Sequence, residues 1–205
     1  MTTAMQTTRL TSSQLPEAGA VLGRAFFDDP LLTYILPDES KRGPQVRWFM
    51  EHGAKYGQTH GEVYTTVGKV EGNAVWLPPG EVKMTMARMA RAGLLFAPFK
   101  FGVGGFNRFL GAVNYLEHLH ERDLPQRHWY LLILGVDPPR QGQGVGGALI
   151  QPVLARADAE GLPCYLETMK TRNVPFYQKH GFEVVVEDDL PKGGCHFWTM
   201  KRMPR

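Results

Sequence analysis

"PPRQGQGVGGAL", residues 138–149, holds four glycines in six positions, and its reading decides the fold. From Gly142 it spells G-x-G-x-x-G through Gly144 and Gly147, the spacing of a dinucleotide-binding turn. Glu167 lies twenty positions after Gly147, about where a ribose-binding acid is expected. Two features oppose that reading. In a dinucleotide fold the first strand runs straight into the first glycine, whereas "DPPRQ" here separates Val136 from Gly142. The tail beyond Glu167 is short and ends in an apparent hairpin instead of further βαβ units. A Walker A loop fails because no Lys-Ser/Thr follows the glycines. What survives is a strand, a Gly-rich turn and a helix N-terminus. That arrangement offers unpaired N–H groups and a partial positive charge to an anion, and glycines let phosphate oxygens approach the backbone closely. The alternative is a tight turn that needs glycines only for its shape.

The flanking sequence supplies the elements on either side. "HWYLLILGV" (128–136) is nearly all apolar and reads as a strand buried on both faces. The helix "GALIQPVLARADAEG", the strand "PCYLETM" and the short helix "VPFYQKHG" follow, and "FEVVVEDD" with "GCHFWTMKR" forms a closing hairpin. Upstream, "TTRL" reads as a short first strand. "TSSQLPEAGAVLGRAFFDD" places Leu15, Ala18, Val21, Leu22, Ala25 and Phe26 on one helical face, and Pro30 interrupts it. "LLTYIL" and "RGPQVRWFMEHGAKYG" suggest further helix, while "GEVYTTVG" and "GNAVWLPPG" read as paired strands. Two more helices, "EVKMTMARMARAGLLFA" and "FNRFLGAVNYLEHLHERD", flank the Pro/Gly-rich "APFKFGVGG". The order is that of a mixed α/β chain.

A length of 205 residues suits a single domain over 1–205, with a helical insertion at about 81–125. Hydrophobic residues at 43% and charged residues at 21% predict a buried core. The net charge of +3 comes without a Lys/Arg block, so no nucleic-acid partner is expected. "MTTAMQTTRL" has no apolar core of a signal peptide, and "LLFAPFKFGVGGF" is short and broken by Pro98 and Lys100, so no membrane partner is expected and the default is a cytoplasmic protein. Cys164 and Cys195 could form a disulfide or serve as a reactive thiol; we read them as buried free thiols on strands. The seven histidines form no HxxxH and no CxxC is present, so no metal site is expected.

The loop also resembles a known family. "LGVDPPRQGQGVGGAL" is similar to motif A of the GCN5-related N-acetyltransferases, Q/R-x-x-G-x-G/A, here Gln141-x-x-Gly144-x-Gly146. "NVPFYQKHGFEV" resembles motif B, with Asn173, Tyr177 and Gly181-Phe182 at the family's spacing. "WLPPG", "WYLLILGVDPPRQGQGVGG", "YLET" and "PKGGCHFWTM" are similar to the puromycin N-acetyltransferase-like branch. The likeness is close over 128–201, weak over the first 80 residues and nearly absent over 81–125.

The resemblance implies a mostly antiparallel central sheet with splayed strands, flanking helices and a helical insertion before the fourth strand. It implies acetyl-coenzyme A as co-substrate, with no metal. The backbone of Leu134, Gly135 and Val136 would bond the pantetheine arm and the thioester oxygen. The loop Gln141, Gly142, Gln143, Gly144, Val145, Gly146 and Gly147 would hold the pyrophosphate, with Asn173 and Tyr177 beside it. A small-molecule amine would attack directly, without an acyl-enzyme.

Two protons must then move. An alkyl ammonium with a pKa near 10.4 costs about 4.6 kcal/mol to neutralise at pH 7, so a base or an already neutral amine is needed. Glu167, Asp28, Asp29, His118 and His120 are candidates. Glu167 leads, because it ends a strand beside the cofactor strand; it could equally be a solvated strand-end carboxylate. The "HLH" histidines read as helix-surface residues. Tyr177 resembles the family's general acid for the departing thiolate. The Asp28-Asp29-Pro30 turn is either an acceptor contact or a plain helix stop. The Met- and Phe-rich 84–123 stretch reads as core-facing helix, or as the roof of an apolar acceptor pocket. The expected activity is N-acetyl transfer. A catalytically silent coenzyme A-binding regulatory module and a dinucleotide oxidoreductase are the rivals, and the pattern leaves a homodimer open.

Overall fold

The computed structural model describes residues 5–205. Its strands are β1 (Thr7–Arg9), β2 (Glu62–Thr66), β3 (Gly72–Leu77), β4 (Trp129–Val136), β5 (Cys164–Thr168), β6 (Glu183–Asp189) and β7 (His196–Arg202). They form one sheet in the order β1-β2-β3-β4-β5-β7-β6. Every neighbouring pair is antiparallel except β4 and β5, which run parallel. The helices are α1 (Leu15–Ala25), α2 (Pro30–Ile35), α3 (Glu39–His60), α4 (Met86–Ala92), α5 (Ala97–Asp123), α6 (Val145–Glu160) and α7 (Val174–Lys179). The fold is the expected mixed, mostly antiparallel α/β sheet with flanking helices.

Both faces of the sheet are covered, and period-two alternation divides the core between them. Ala74 and Trp76 of β3 pack with Leu149, Ile150 and Val153 of α6. Val75, between them, packs on the opposite face with Val21 and Leu22 of α1 and Val46 and Met50 of α3. β4 breaks this alternation. Val75 faces Ile133 and Trp76 faces Leu131, so Leu132 is an extra residue in the register. This bulge reverses the parity of the strand beyond it. Leu131 joins the α6 core, whereas both Leu132 and Ile133 join the α1–α3 core.

Three local readings are corrected. Pro30 does more than end α1: it opens α2, with the Asp29 carboxylate accepting the Leu31 N–H at 3.1 Å as a cap. "APFKFGVGG" is itself helical on either side of a break: Gly102, at φ 69° and ψ 168°, leaves the helical region inside α5. Pro98 sits in the opening turn of α5, where a missing N–H costs nothing. Finally, β4 is not buried on both faces. Leu132, Ile133, Leu134 and Val136 are half-buried because the strand borders a cavity. Cys164 is a buried free thiol on β5, as read; Cys195 is free and half-buried, just before β7. No helix among the described residues is long and apolar enough to cross a membrane.

Candidate active site

The parallel ladder between β4 and β5 is short. Only Trp129↔Cys164 and Tyr130↔Tyr165 are in register, and beyond Tyr130 the strands diverge. The far edge of β4 still pairs with β3 from Val136 back to Tyr130, so the edge facing β5 carries unpaired backbone groups over Leu131–Val136. A cavity of about 690 Å³ occupies the gap. Its walls include Leu134 to Val136, Gly142, Gly144, Asn173, Tyr177 and Glu167.

The glycine loop lies at one end of this cavity, and its glycines have two different reasons. Gly142 and Gly144 have φ of 76° and 82°, the left-handed region, and a Cβ on either would point into open space. Gly144 is the N-cap of α6. The Ala148 N–H is the first to bond back, to the Gly144 carbonyl at 3.1 Å, so the N–H groups of Val145, Gly146 and Gly147 leave the helix end free of intrahelical acceptors. Gly146 and Gly147 instead make room for α7, since a Cβ there would meet Phe176 at 3.3 Å and His180 at 3.2 Å. Gly135 does the same for α1, because a Cβ would come within 2.6 Å of Leu22.

Side chains brace the loop. Gln141 Nε2 donates to the Val136 carbonyl at 3.0 Å, and Gln143 Nε2 to the Pro139 carbonyl at 2.9 Å. Arg24 binds the Asp137 carboxylate with two bonds of 2.9 and 2.7 Å. Arg140, Arg172 and Lys179 also line the cavity. Free first-turn N–H groups, open space at Gly142 and Gly144 and these cations fit an extended ligand carrying phosphates. Arg140 and Lys179 stand inside the two quoted motifs and Arg172 just before the second, but only the packing of α7 beside the loop brings them to one cavity, which the sequence alone does not show.

At the mouth of the splay, Tyr130 Oη donates to Glu167 Oε2 at 2.8 Å. Burial pushes the Glu167 carboxyl up to about 7, against the hydrogen bond from Tyr130, which pulls it down. The carboxyl is therefore not the solvated strand-end group of the alternative reading. His120 Nδ1 lies 3.9 Å from Glu167 Oε1. Burial and neighbouring His128 press His120 down to about 3, so the contact is between a neutral ring and the carboxyl and is no ion pair. The reading of both "HLH" histidines as surface residues fails for His120. Its side chain is buried, stacked on Tyr165 with centroids 4.1 Å apart, whereas His118 is exposed. Helical periodicity could not tell which side of α5 met β5.

Tyr177 is buried between Phe176 and Phe182 and lines the cavity, and among the described residues its hydroxyl has no hydrogen-bond partner. Burial, and secondarily the negative charge of Asp29, holds its phenol far above the usual tyrosine range. Asn173 Nδ2 donates to Thr168 Oγ1 at 3.0 Å and so ties the start of α7 to the end of β5. Asp29 lines the same cavity and is buried, which raises its carboxyl despite the nearby Lys170 ammonium. Asp28 is exposed and lies outside the cavity, beside Arg24 and Arg47, which corrects its pairing with Asp29 as a site residue. Met84, Leu94, Phe109, Val113 and Leu116 line the cavity, while Leu94, Phe109 and Leu116 are at the same time buried in the core, so the stretch is core-facing helix that also borders the cavity.

A helix N-terminus at a gap between splayed parallel strands, with a buried carboxyl at the mouth of the splay, is the arrangement implied by the resemblance to the N-acetyltransferases. The comparisons agree. The family model for the acetyltransferase (GNAT) family matches residues 81–182. An uncharacterized N-acetyltransferase of Schizosaccharomyces pombe is 31% identical over 185 residues, 87% of this chain and 74% of that protein. The fold is similar to a solved Corynebacterium glutamicum structure described as histone acetyltransferase HPA2 and related acetyltransferase, with TM-score 0.71, 22% identity and coverage of 98% of this chain and 97% of that one. It is also similar to arylalkylamine N-acetyltransferase 2 of Aedes aegypti, with TM-score 0.67, 14% identity and coverage of 98% and 100%. The chain belongs to the acetyltransferase (GNAT) family and is an acetyl-CoA-dependent N-acetyltransferase.

Proposed function

We propose that this enzyme acetylates a small-molecule amine, with Glu167 as the base and Tyr177 as the hydrogen donor to the departing sulfur. The observation that carries the reading is one continuous cavity touching the glycine loop, Tyr177 and Glu167 together. Acetyl-coenzyme A supplies the activated acetyl thioester. The free N–H groups of Val145, Gly146 and Gly147 would hold its phosphates, with Gln141, Gly142, Gln143 and Gly144 shaping the loop. The backbone of Leu134, Gly135 and Val136, on the edge that β5 leaves without a strand partner, would orient its pantetheine arm, with the Val136 carbonyl already held by Gln141, and Asn173 would fasten α7 alongside. Within the family, the motifs at 128–201 are similar to those of the puromycin N-acetyltransferase-like branch.

Glu167 suits the base role because its proton affinity sits near working pH. Against an ordinary carboxylate at about 4.3, a base at about 7 narrows the gap to an alkyl ammonium by roughly 3–4 kcal/mol. Tyr177 keeps its proton at every physiological pH, so it can offer a hydrogen bond to sulfur without first being discharged. Asp29 lies near enough to act on Tyr177 electrostatically and lines the acceptor side. The apolar roof of Met84, Leu94, Phe109 and Leu116 supports an amine with an apolar body, as does the likeness to an enzyme named for arylalkylamines. The test is acetyl transfer across arylalkyl, polyamine and peptide amines, read as free thiol release. Turnover of a small amine above the hydrolysis background is expected; transfer to peptides alone, or to none, overturns the reading.

A further inference from the structure

We propose that residues 95–103, running from the turn after α4 into the start of α5, form a peripheral docking surface for an anionic phospholipid bilayer. Seven large apolar side chains stand exposed among the described residues, and four of them, Leu95, Phe96, Phe99 and Val103, fall within these nine positions. Phe96, Phe99 and Val103 are 63%, 85% and 79% exposed, so they project from the surface and are not the edges of core residues. The segment is held by its other side. Leu94 packs with Tyr56 and Leu77, and Ala97 and Phe101 pack in the α1–α3 core. One side is anchored and the other is offered to solvent, where a contiguous apolar patch is unfavourable and marks a contact surface. None of the four side chains lines the cavity, so the proposal stands apart from the catalytic reading.

The charges along the segment select the occupant. Across residues 82–116 the chain carries five Lys and Arg residues and no Asp or Glu. Three of the five are committed: Lys83 pairs with Glu121, Arg88 with Glu81, and Arg108 donates to the Ile35 carbonyl. Arg91 and Lys100 are exposed and make no ion pair among the described residues. Arg91 stands in the last turn of α4, and Lys100 stands between Phe99 and Val103. Trp48 of α3 is half-buried alongside, with the Lys100 ammonium 5.8 Å from its ring. Exposed Phe and Leu beside Lys and Arg, with a tryptophan at the polar boundary, is the composition of a segment that lies in a lipid headgroup layer. Anionic headgroups complement the two free cations, and the acyl boundary takes the phenylalanines.

A second copy of the chain fits this surface less well. Even at about 200 Å² for each aromatic and less for each aliphatic, the four side chains fall short of the roughly 800 Å² per partner of a standard interface. A twofold contact would also set Arg91 and Lys100 against their own copies with no carboxylate in the segment to separate them. "LLFAPFKFGVGGF" is too short to cross a bilayer, and no helix among the described residues is long and apolar enough to do so; that length says nothing against lying on one. Leu94, next to Leu95, lines the cavity, so docking brings the apolar side of the cavity close to the lipid.

The test uses the full chain with vesicles of phosphatidylcholine alone and vesicles of phosphatidylcholine with phosphatidylserine. The protein is expected to sediment with the serine-containing vesicles, to stay in solution with phosphatidylcholine alone, and to be released by raised salt. Phe96→Ser with Phe99→Ser removes the apolar contact, and Arg91→Glu with Lys100→Glu reverses the charge. Each double variant is expected to weaken partitioning roughly tenfold or more. Its melting temperature, and its thiol release from acetyl-coenzyme A with a soluble amine, are expected to stay at wild-type values, because the four side chains are exposed and none lines the cavity. Wild type that stays in solution with the anionic vesicles, or anionic binding undiminished in either folded double variant, overturns the proposal. So does equal sedimentation with both kinds of vesicle. A wild-type dimer by light scattering that Phe96→Ser with Phe99→Ser abolishes, without vesicle binding, overturns it in favour of a second copy.

Discussion

Tyr130 and Glu167 join two strands that have stopped pairing. Tyr130 faces Tyr165 in the last parallel rung, and its hydroxyl reaches diagonally to Glu167, two residues further along β5, at 2.8 Å. The bond therefore spans the point where the cavity opens, and it ties the proton affinity of Glu167 to the geometry of the splay.

Removing that hydroxyl tests the link. The Tyr130 donor favours the ionised carboxylate, so Tyr130→Phe is expected to raise the Glu167 pKa above about 7. The acid limb of kcat/KM should move to higher pH, and the rate at pH 7 should fall more than the rate at pH 9. An unmoved limb would mean that another group supplies it.

Glu167 also predicts a stability effect. Its folded-state pKa lies above the unfolded value, so the folded protein holds this proton more tightly. Stability from this group is full below about pH 4 and declines as pH rises through about 7, by roughly 3 kcal/mol in total. Glu167→Gln removes the titration, so its melting temperature should exceed wild type at pH 8 and match or trail it at pH 4. Equal differences at both pH values would contradict the burial of an ionising carboxyl.

Gly144 and Gly146 should fail in different ways. Gly144→Val puts a side chain into open space where phosphate is expected, at a φ of 82° that costs about 1–2 kcal/mol for an L-residue. The protein should fold with modest loss yet show no thermal shift with acetyl-coenzyme A, where wild type gains about 2.7 kcal/mol at one hundred times Kd. Gly146→Val pushes on Phe176, so it should lower the melting temperature by displacing α7. An undiminished ligand shift in folded Gly144→Val would make the loop a turn and nothing more.

Tyr177→Phe deletes a hydroxyl that has no protein partner among the described residues, so stability should change by less than about 1 kcal/mol. Turnover should fall about 10²–10⁴-fold with little change in acetyl-coenzyme A affinity. Because burial holds the phenol proton far above the ordinary range, wild type should show no descending limb from this group up to pH 10. Near wild-type turnover in the variant would assign sulfur protonation to water.

The sequence by itself determined most of the elements and singled out the glycine loop as the candidate anion site. Hydrophobic period, Gly/Pro punctuation and the glycine loop are local signals, written within a few turns of chain. They were enough to place β4, the loop, α6, β5, α7 and the closing hairpin; Glu167 stood out as the strand-end carboxylate beside β4, and Tyr177 only through the resemblance of its motif to the acetyltransferases. Tertiary structure alone decided which groups meet. Tyr130, His120 and Glu167 come from a strand, a helix and another strand, and their meeting depends on the β4–β5 register and on which face of α5 turns inward. The bulge at Leu132 was equally hidden, since an unbroken apolar run looks the same with either parity. The proton affinity of Glu167 arises the same way, because desolvation is a property of everything packed around the carboxyl and of no residue within its own segment.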